Sequence, residues 1–387
     1  MDEIDSVSQP HPASSSPGSP IRLFLCGDVM TGRGIDQVLP HPGDPTLHES
    51  WIRDARRYVK LAERVSGAIP QRAEFEYIWG DALAELSRAS VDLRIINLES
   101  TITSSDDHWA GKGIHYRMHP RNVHCITAAQ INCCCLANNH ILDWGYSGLA
   151  ETLRALDAAG VAHAGAGHNL EEAAAPAVFD LPGKGRVLVF SYGSPTSGVP
   201  WDWAATPHRP GVNFLQETSE EIARQIAAEM RRFSHNHDVI VASIHWGPNW
   251  GYELGADEIH FAHQLIEQGI DVVYGHSSHH PKTAEIHNRH LILYGCGDFL
   301  NDYEGISGYE AFRSDLTAIY LAEIDPQDGG LVDARMIPMR LKRFRLNRAG
   351  EEDARWLCDL LNRLGAPLNT QSRLTPDYSV TLRSSHQ

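Results

Sequence analysis

Positive charge and long apolar runs are both scarce in this sequence. Its 387 residues include 33 Lys and Arg against 49 Asp and Glu, which gives a formal net charge of −16. A nucleic-acid partner is not expected, because no basic face is left to neutralise phosphate groups. No apolar run approaches the roughly 20 residues that a membrane-spanning helix needs, so we predict no membrane span.

An export signal and a disulfide scaffold are also missing. The first 20 residues, MDEIDSVSQPHPASSSPGSP, are acidic and then rich in Ser and Pro, without the basic start and apolar middle of a signal peptide. We predict a disordered tail over residues 1–20 and a cytoplasmic location. The seven cysteines form an odd set without scaffold spacing, so reduced thiols are expected.

Three of these cysteines, Cys133 to Cys135, stand side by side before an Asn-Asn-His sequence. Successive side chains of a strand point to opposite faces, so three adjacent thiols cannot surround one tetrahedral zinc ion. We predict that they are small packing residues of a buried strand.

From residue 21 onward, short apolar runs alternate with amphipathic segments, as in a mostly parallel sheet covered by helices. Leucine spacing predicts a helix over 145–159, and TSEEIARQIAAEMRRF predicts another with Thr218 or Ser219 as its N-cap. Two longer runs between 315 and 346 are typical of antiparallel strands. We therefore predict an α/β fold with mixed sheets, one domain over residues 21–365 and a C-terminal tail over 366–387.

Polar residues stand where each apolar run stops. Ligand sites of open α/β sheets form outside the carboxyl ends of the strands, so these residues are expected to share one site. They are Asp28, Asn97, Glu99, Asn138, Asn139, His140, Asp143, His245, His276, His279, His280 and Asp298.

Two kinds of chemistry suit this set. Carboxylate, carboxamide and imidazole groups together can hold one divalent ion such as Mn, Fe or Zn, which would activate water. The same groups without a metal form a carboxylate–imidazole set that moves a proton at carbon. The cofactor is therefore one divalent metal ion or none.

Five motifs in register resemble the CapA family, named for poly-γ-glutamate capsule biosynthesis. They are GDVMTGR at 27–33, NLESTIT at 97–103, ANNHILDWG at 137–145, AGAGHNLEEAAAP at 164–176 and HWG at 245–247. The resemblance covers residues 21–303. It implies a calcineurin-like metallophosphoesterase fold, a four-layer α-β-β-α sandwich with mixed sheets.

The resemblance also implies roles for single residues. Metal ligands, if a metal is bound, would be Asp28, Glu99, Asn139, His245 and His279, with His140 near the transferring group. Three positions depart from the metallophosphoesterase pattern: Met30 replaces a histidine, Ser277 stands where a histidine is expected, and Asp298 replaces an asparagine. A thioether cannot replace an imidazole ligand for these ions, so a complete two-metal centre is not expected.

A metal-free enzyme type of the same family epimerises a peptide residue at Cα with an Asp and a His. Here Asp28 with His279 or His276 would fill that role, with Asp298 as an orienting group. The catalytic set is thus Asp28, His140, His276, His279 and Asp298. Substrate contacts are predicted from Arg33, Asn97, Glu99, Trp144, Trp246 and Trp250.

The sequence favours a cytoplasmic enzyme that acts on a peptide-like or polyglutamate-like substrate by Asp/His acid–base chemistry. One alternative is a metal-dependent hydrolase of phosphoester or amide bonds. Another is a non-catalytic accessory protein of poly-γ-glutamate synthesis. The sequence does not indicate an oligomeric state.

Overall fold

Two large β-sheets face each other within residues 18–385, the part of the chain that the computed structural model describes. The strands are β1 (Ile21–Leu25), β2 (Asp28–Val29), β3 (Leu93–Leu98), β4 (Thr101–Ile102), β5 (Arg117–Met118), β6 (Cys133–Cys135), β7 (Ala162–Ala164), β8 (Ala166–Gly167), β9 (Ala177–Leu181), β10 (Gly185–Gly193), β11 (Gly211–Val212), β12 (Val239–His245), β13 (Val272–His276), β14 (Ala284–His287), β15 (His290–Leu293), β16 (Asp298–Leu300), β17 (Leu316–Ile324), β18 (Leu331–Leu341), β19 (Leu346–Arg348), β20 (Thr370–Leu374) and β21 (Val380–Ser384). The α-helices are α1 (Arg33–Val38), α2 (Arg56–Ser66), α3 (Ala82–Ala89), α4 (His124–Ala128), α5 (Gly145–Ala158), α6 (Leu170–Ala174), α7 (Glu220–Met230), α8 (Ala256–Glu267) and α9 (Glu351–Gly365).

The first sheet has the strand order β16-β2-β3-β1-β17-β18-β21-β20, and β6 and β7 extend it beside β3. Pairing is parallel among β16, β2, β3, β6 and β7, whereas β17, β18, β20 and β21 are antiparallel to their neighbours. The second sheet has the order β14-β15-β13-β12-β10-β9, with parallel pairing from β15 to β10. Both sheets are therefore mixed, as the sequence predicts.

Three apolar cores divide the molecule into layers. One core lies between the sheets and includes Leu23, Ile95, Val189 and Val241. A second packs the other face of the first sheet against residues of α3 and α5, and a third packs the second sheet against α7 and α8. The predicted four-layer α-β-β-α sandwich is confirmed.

The cysteine prediction is confirmed as well. All seven cysteines are buried and free. Cys133 and Cys135 join the core between the sheets, whereas Cys134 points to the opposite face, as the alternation of a strand requires.

Most predicted elements have the predicted type. The helix at 145–159 is α5, and Ser219 caps α7 by accepting a hydrogen bond from the Ile222 amide. The predicted tail at 366–387 is wrong over its described part, because β20 and β21 form a hairpin that pairs with β18. Of the predicted N-terminal tail, residues 1–17 lie outside the described residues.

Candidate active site

The carboxyl ends of strands from both sheets meet at one edge of the sandwich. Parallel pairing places Asp28 beside Asn97 in the first sheet and His245 beside His276 in the second. Asp298 lies opposite Asp28 in the β16–β2 pair. The structure thus brings the strand-end residues together, as the sequence predicts.

Asp28 forms the floor of this site and is fully buried. Its Oδ1 accepts a hydrogen bond from Asn97 Nδ2 at 2.7 Å, and its Oδ2 accepts one from the Ser277 backbone amide at 3.1 Å. Asn138 Nδ2 in turn donates to Asn97 Oδ1 at 3.0 Å. Asp28 is therefore held from two sides and has no free face toward solvent.

Two buried histidines lie beside this carboxylate. The Nδ1 atoms of His245 and His276 are 2.9 Å apart, and His276 Nδ1 is 3.6 Å from Asp28 Oδ1. His276 Nε2 is 2.7 Å from the Ser243 hydroxyl. Burial lowers the pKa of His276 to about 3 and that of His245 well below its ordinary value, so both rings are neutral, the form that binds metal ions.

The buried carboxylates lack enough neutralising charge. Burial, and then the neighbouring Asp298, raises the pKa of Asp28 to about 7. Burial, and then Asp28, raises the pKa of Glu99 well above its usual range. Glu99 Oε2 is buried without a hydrogen-bond partner. A buried carboxylate of this kind is stable only if it is protonated or if a cation lies next to it.

The donor set fits one divalent ion. Asp28, His245 and His276 each offer a ligand atom, and these atoms lie within 4.8 Å of one another. One carboxylate with two imidazoles suits zinc and the similar first-row ions. At the position of the missing histidine, the Met30 side chain is buried and its sulfur lies 3.8 Å from Tyr303 Oη. The residues present therefore fit a single ion rather than two.

A carboxylate–histidine pair lies on one side of this floor. His140 Nδ1 is 2.6 Å from Asp143 Oδ2, and Lys112 Nζ is 2.5 Å from Asp143 Oδ1. The other ring nitrogen, Nε2, is 3.7 Å from Glu99 Oε1. Burial lowers the pKa of His140 to about 4, whereas His140 and Lys112 hold the pKa of Asp143 below its usual value despite burial.

A second such pair lies beside Asp28 on the other side. His279 Nδ1 is 2.9 Å from Asp298 Oδ1, and Asn301 donates to Asp298 Oδ2 at 2.9 Å. His279 Nε2 is 2.9 Å from Asn249 Nδ2. Burial opposes protonation, but the adjacent Asp298 raises the pKa of His279 above its ordinary value.

A cleft of about 730 Å³ opens next to His279. Its wall includes Trp250, whose ring stacks on Tyr309 with centroids 3.9 Å apart. Arg33 also lines it, held by Glu49 at 2.9 Å and by a bidentate contact with Asp302. Trp250 thus lies where a substrate could contact it, whereas Arg33 is only 3% exposed and its guanidinium is already paired with Glu49 and Asp302.

Other predicted contacts are placed differently. Trp246 donates to the Tyr294 carbonyl and packs in the core under α8. Trp144 donates to the Tyr116 carbonyl and is buried under Arg117. Their prediction as substrate contacts is wrong, because proximity in sequence to a motif does not fix the face of the loop on which a side chain lies. Asn97 supports Asp28 within the site.

His279 is also placed differently from its predicted role as a metal ligand. It pairs with Asp298 and Asn249, and His276 takes the place beside Asp28 and His245. Asn139 Oδ1 lies 3.2 Å from His245 Nε2, and Glu99 Oε1 lies 3.7 Å from the same atom. These two predicted ligands therefore adjoin the three-residue donor set through His245.

Sequence reasoning missed several supporting residues. Lys112, Ser243, Asn249 and Asn301 lie outside the predicted set, and Asp143 had no role beyond its position after the Asn-Asn-His motif. Only the role of Asp143 could have been predicted from the sequence, because it lies three residues after His140 and a turn brings the two side chains together. The others meet the site through long-range packing.

Comparison with known proteins identifies the family. The family model of the bacterial capsule synthesis protein PGA_cap matches residues 22–303. The chain belongs to this family. The resemblance drawn from the five motifs is thereby confirmed.

Relatives of this PGA_cap protein include a "Probable polyglutamine synthesis accessory protein" of Mycobacterium tuberculosis, 45% identical over 92% of this chain and 94% of that protein. The capsule biosynthesis protein CapA of Bacillus anthracis is 22% identical over 73% of this chain and 60% of its own length. The PGA biosynthesis protein CapA of Bacillus subtilis is 25% identical over 71% and 62%. Among solved structures, a 5′-nucleotidase precursor from Thermus thermophilus has a TM-score of 0.45 at 14% identity, over 90% of this chain and 58% of that chain.

None of the helices in residues 18–385 is long and apolar enough to cross a membrane. The predicted cytoplasmic location stays a prediction.

Proposed function

We propose that this PGA_cap protein is an enzyme that hydrolyses amide bonds of a peptide-like or polyglutamate-like chain by acid–base chemistry. The observation that carries the proposal is the presence of two carboxylate–histidine pairs, Asp143–His140 and Asp298–His279, beside one buried donor set. In each pair the carboxylate fixes Nδ1 of the imidazole. Nε2 is then the atom that exchanges a proton, which at His279 requires its contact with Asn249 to be given up.

The two imidazoles suit opposite roles. Hydrolysis adds water across the C–N bond, so one group must take a proton from the water and another must give a proton to the leaving nitrogen. His140 has a lowered pKa and is neutral near pH 7, which suits the base. His279 has a raised pKa, which suits the acid. Environments that push two pKa values apart are a common way to assign an acid and a base.

Asp28, His245 and His276 would hold one divalent ion at the floor. When bound, such an ion polarises a carbonyl group and lowers the pKa of water. Asp28 fits a ligand better than a base, because its side chain is fully buried and offers an oxygen to the same donor set as His245 and His276. This enclosure favours hydrolysis over the Cα proton transfer that the sequence favoured.

The substrate class rests on the cleft and on the relatives. The cleft next to His279 has a volume of about 730 Å³ and is lined by aromatic rings such as those of Trp250, Tyr303 and Tyr309. A relative that shares 45% identity is named for polyglutamine synthesis. A polymer of glutamine or of glutamate carries one main-chain amide bond per residue, which is the bond that the paired imidazoles would cleave.

The test incubates the protein with α-linked and γ-linked glutamate oligomers and measures newly formed amino groups. We expect hydrolysis that a chelator abolishes and Mn or Zn restores. His140→Ala and His279→Ala are each expected to reduce the rate by about 100-fold or more. His168→Ala, at an exposed histidine elsewhere, serves as the matched control and is expected to keep full activity.

Unchanged rates in both histidine variants would rule the proposal out. A reaction in deuterated water separates the alternatives, because deuterium at the substrate Cα without new amino groups would indicate epimerisation.

A non-catalytic accessory role is the second candidate, and the names of the relatives favour it. It predicts that the oligomers bind without being cleaved. In that case a folded Asp28→Asn variant would keep the affinity for the oligomers.

A further inference from the structure

A second group of metal-ligating side chains lies on the outer side of the second sheet, separate from the candidate active site. It joins α8 to the edge strand β14 and consists of His263, Glu285 and His287. We propose that these three residues form a zinc-binding site.

The backbone geometry brings the three side chains together. Glu285 and His287 are two residues apart on β14 and therefore share one face of the strand. His263 projects from α8, which packs on that face. Glu267 lies four residues further along the same helix face, and its Oε1 is 3.9 Å from His287 Nε2. The two-residue spacing on β14 and the four-residue spacing on α8 thus direct these side chains toward the same point.

The three side chains lie close together. His263 Nε2 lies 2.9 Å from both carboxylate oxygens of Glu285, and His287 Nδ1 lies 3.7 Å from Glu285 Oε1. One ligand atom from each residue lies within 4.8 Å of the other two. The rings of His263 and His287 stack with centroids 3.8 Å apart at an angle of 7°.

Surrounding contacts prepare the carboxylate for this role. Glu285 is buried, and the Tyr294 hydroxyl donates to its Oε2 at 2.7 Å. Such a partner holds a ligating carboxylate in place. The two histidines are only partly buried, so an ion can enter from solvent. Two histidines and one glutamate, with a fourth position open to water, form a recognised zinc donor set.

Binding of an ion there would tie the last turns of α8 to the sheet edge. A ligand that binds only the folded state raises the unfolding free energy with its concentration. Zinc at this site is therefore expected to raise Tm, independently of any ion at Asp28.

The experiment uses the full chain, stripped of metal by a chelator, with Zn²⁺ and Co²⁺ alone as probes. Isothermal titration with Zn²⁺ is carried out on an Asp28→Ala, His245→Ala variant, which removes the other donor set. We expect this variant to bind one Zn²⁺ per chain and to show the visible absorption of four-coordinate Co²⁺. Adding His287→Ala is expected to weaken zinc binding by at least about tenfold. His208→Ala, at an exposed histidine elsewhere, is the matched control.

Failure of the folded Asp28→Ala, His245→Ala variant to bind Zn²⁺ would overturn the proposal, and so would unchanged affinity after His263→Ala and His287→Ala. If the background variant does not fold, the single His287→Ala variant decides. Its zinc stoichiometry must then be one ion lower than that of the wild type, and its Tm must respond less to Zn²⁺.

Discussion

At the scale of single residues, burial acts on acidic side chains far from the site as well as within it. Asp271 is buried beside β12, where its Oδ2 accepts a hydrogen bond from the Ile240 amide at 2.7 Å. Burial raises the pKa of Asp271 to about 7. A carboxyl with a raised pKa in the folded state opposes folding once it ionises.

Replacing this carboxyl is expected to change the way in which the unfolding free energy depends on pH. In the unfolded chain Asp271 titrates near its ordinary value of 3.8, and in the folded chain near 7. The stabilising effect of the neutral carboxyl is complete below the unfolded value and is lost as pH rises through the folded value. Asp271→Asn does not ionise and still offers an acceptor to Ile240. Its unfolding free energy relative to wild type is expected to rise by about 2–4 kcal/mol between acidic pH and pH 8.

Urea unfolding of both proteins at several pH values measures this difference. Asp359→Asn, at an exposed position on α9, is the control and should run parallel to wild type. A constant difference across the pH range would show that Asp271 titrates normally in the folded protein.

At the scale of elements, two strands at the site approach each other more closely than side chains allow. The Asp28 amide donates to the Gly297 carbonyl at 2.9 Å, and this contact places Asp28 opposite Asp298. A Cβ at Gly27 would lie 1.7 Å from the Gly297 oxygen. Glycine at position 27 is therefore a condition for the pairing of β2 with β16.

Gly27→Ala is expected to lower the unfolding free energy by about 3 kcal/mol or more, because the backbone must move to avoid the clash. Activity is expected to fall even under conditions where the variant is fully folded, since Asp28 and Asp298 are no longer paired in register. Gly113→Ala is the matched control, because a Cβ there has open space around it. Chemical denaturation with parallel activity assays measures both effects. Equal stability of the two variants would show that the close approach of Gly27 to Gly297 does not require glycine.

The strand ends explain which parts of the site could be predicted from sequence. Apolar runs fix where β3, β12 and β13 stop, so Asn97, His245 and His276 could be assigned to one edge before the fold was known. The greater length of the apolar runs also distinguished the antiparallel strands β17 and β18 from the shorter parallel strands. The terminal hairpin was missed because β20 and β21 carry many polar residues and gain their partner only through contact with β18.

Side-chain direction in loops accounts for the remaining errors. His276 is the last residue of β13 and His279 follows three residues later, and the positive φ of 103° at Ser277 turns the chain between them. That turn sends His276 toward Asp28 and His279 toward Asp298. No periodicity records such a turn, so the sequence could not tell which of the two histidines joins the donor set.

At the scale of the whole molecule, the candidate site exists only while the two sheets stay packed. The first sheet supplies Asp28 and the second supplies His245 and His276. The Tyr274 hydroxyl, from the second sheet, donates to the Cys26 carbonyl just before Asp28. Loss of the core between the sheets would therefore separate the donor set before any single strand had to break.

The seven buried cysteines provide a measure of this packing. They are divided between the core that joins the sheets and the core beneath the helices of the first sheet, and burial raises the pKa of thiols such as those of Cys26 and Cys134. A thiol reacts as its thiolate, so the folded protein is expected to react very slowly with a disulfide reagent such as DTNB. In urea all seven thiols should react at once, with a midpoint that matches the change in tryptophan fluorescence. Rapid labelling of even one thiol in the native protein, or a thiol midpoint well below the fluorescence midpoint, would show that the layers open independently and that the site can be lost without global unfolding.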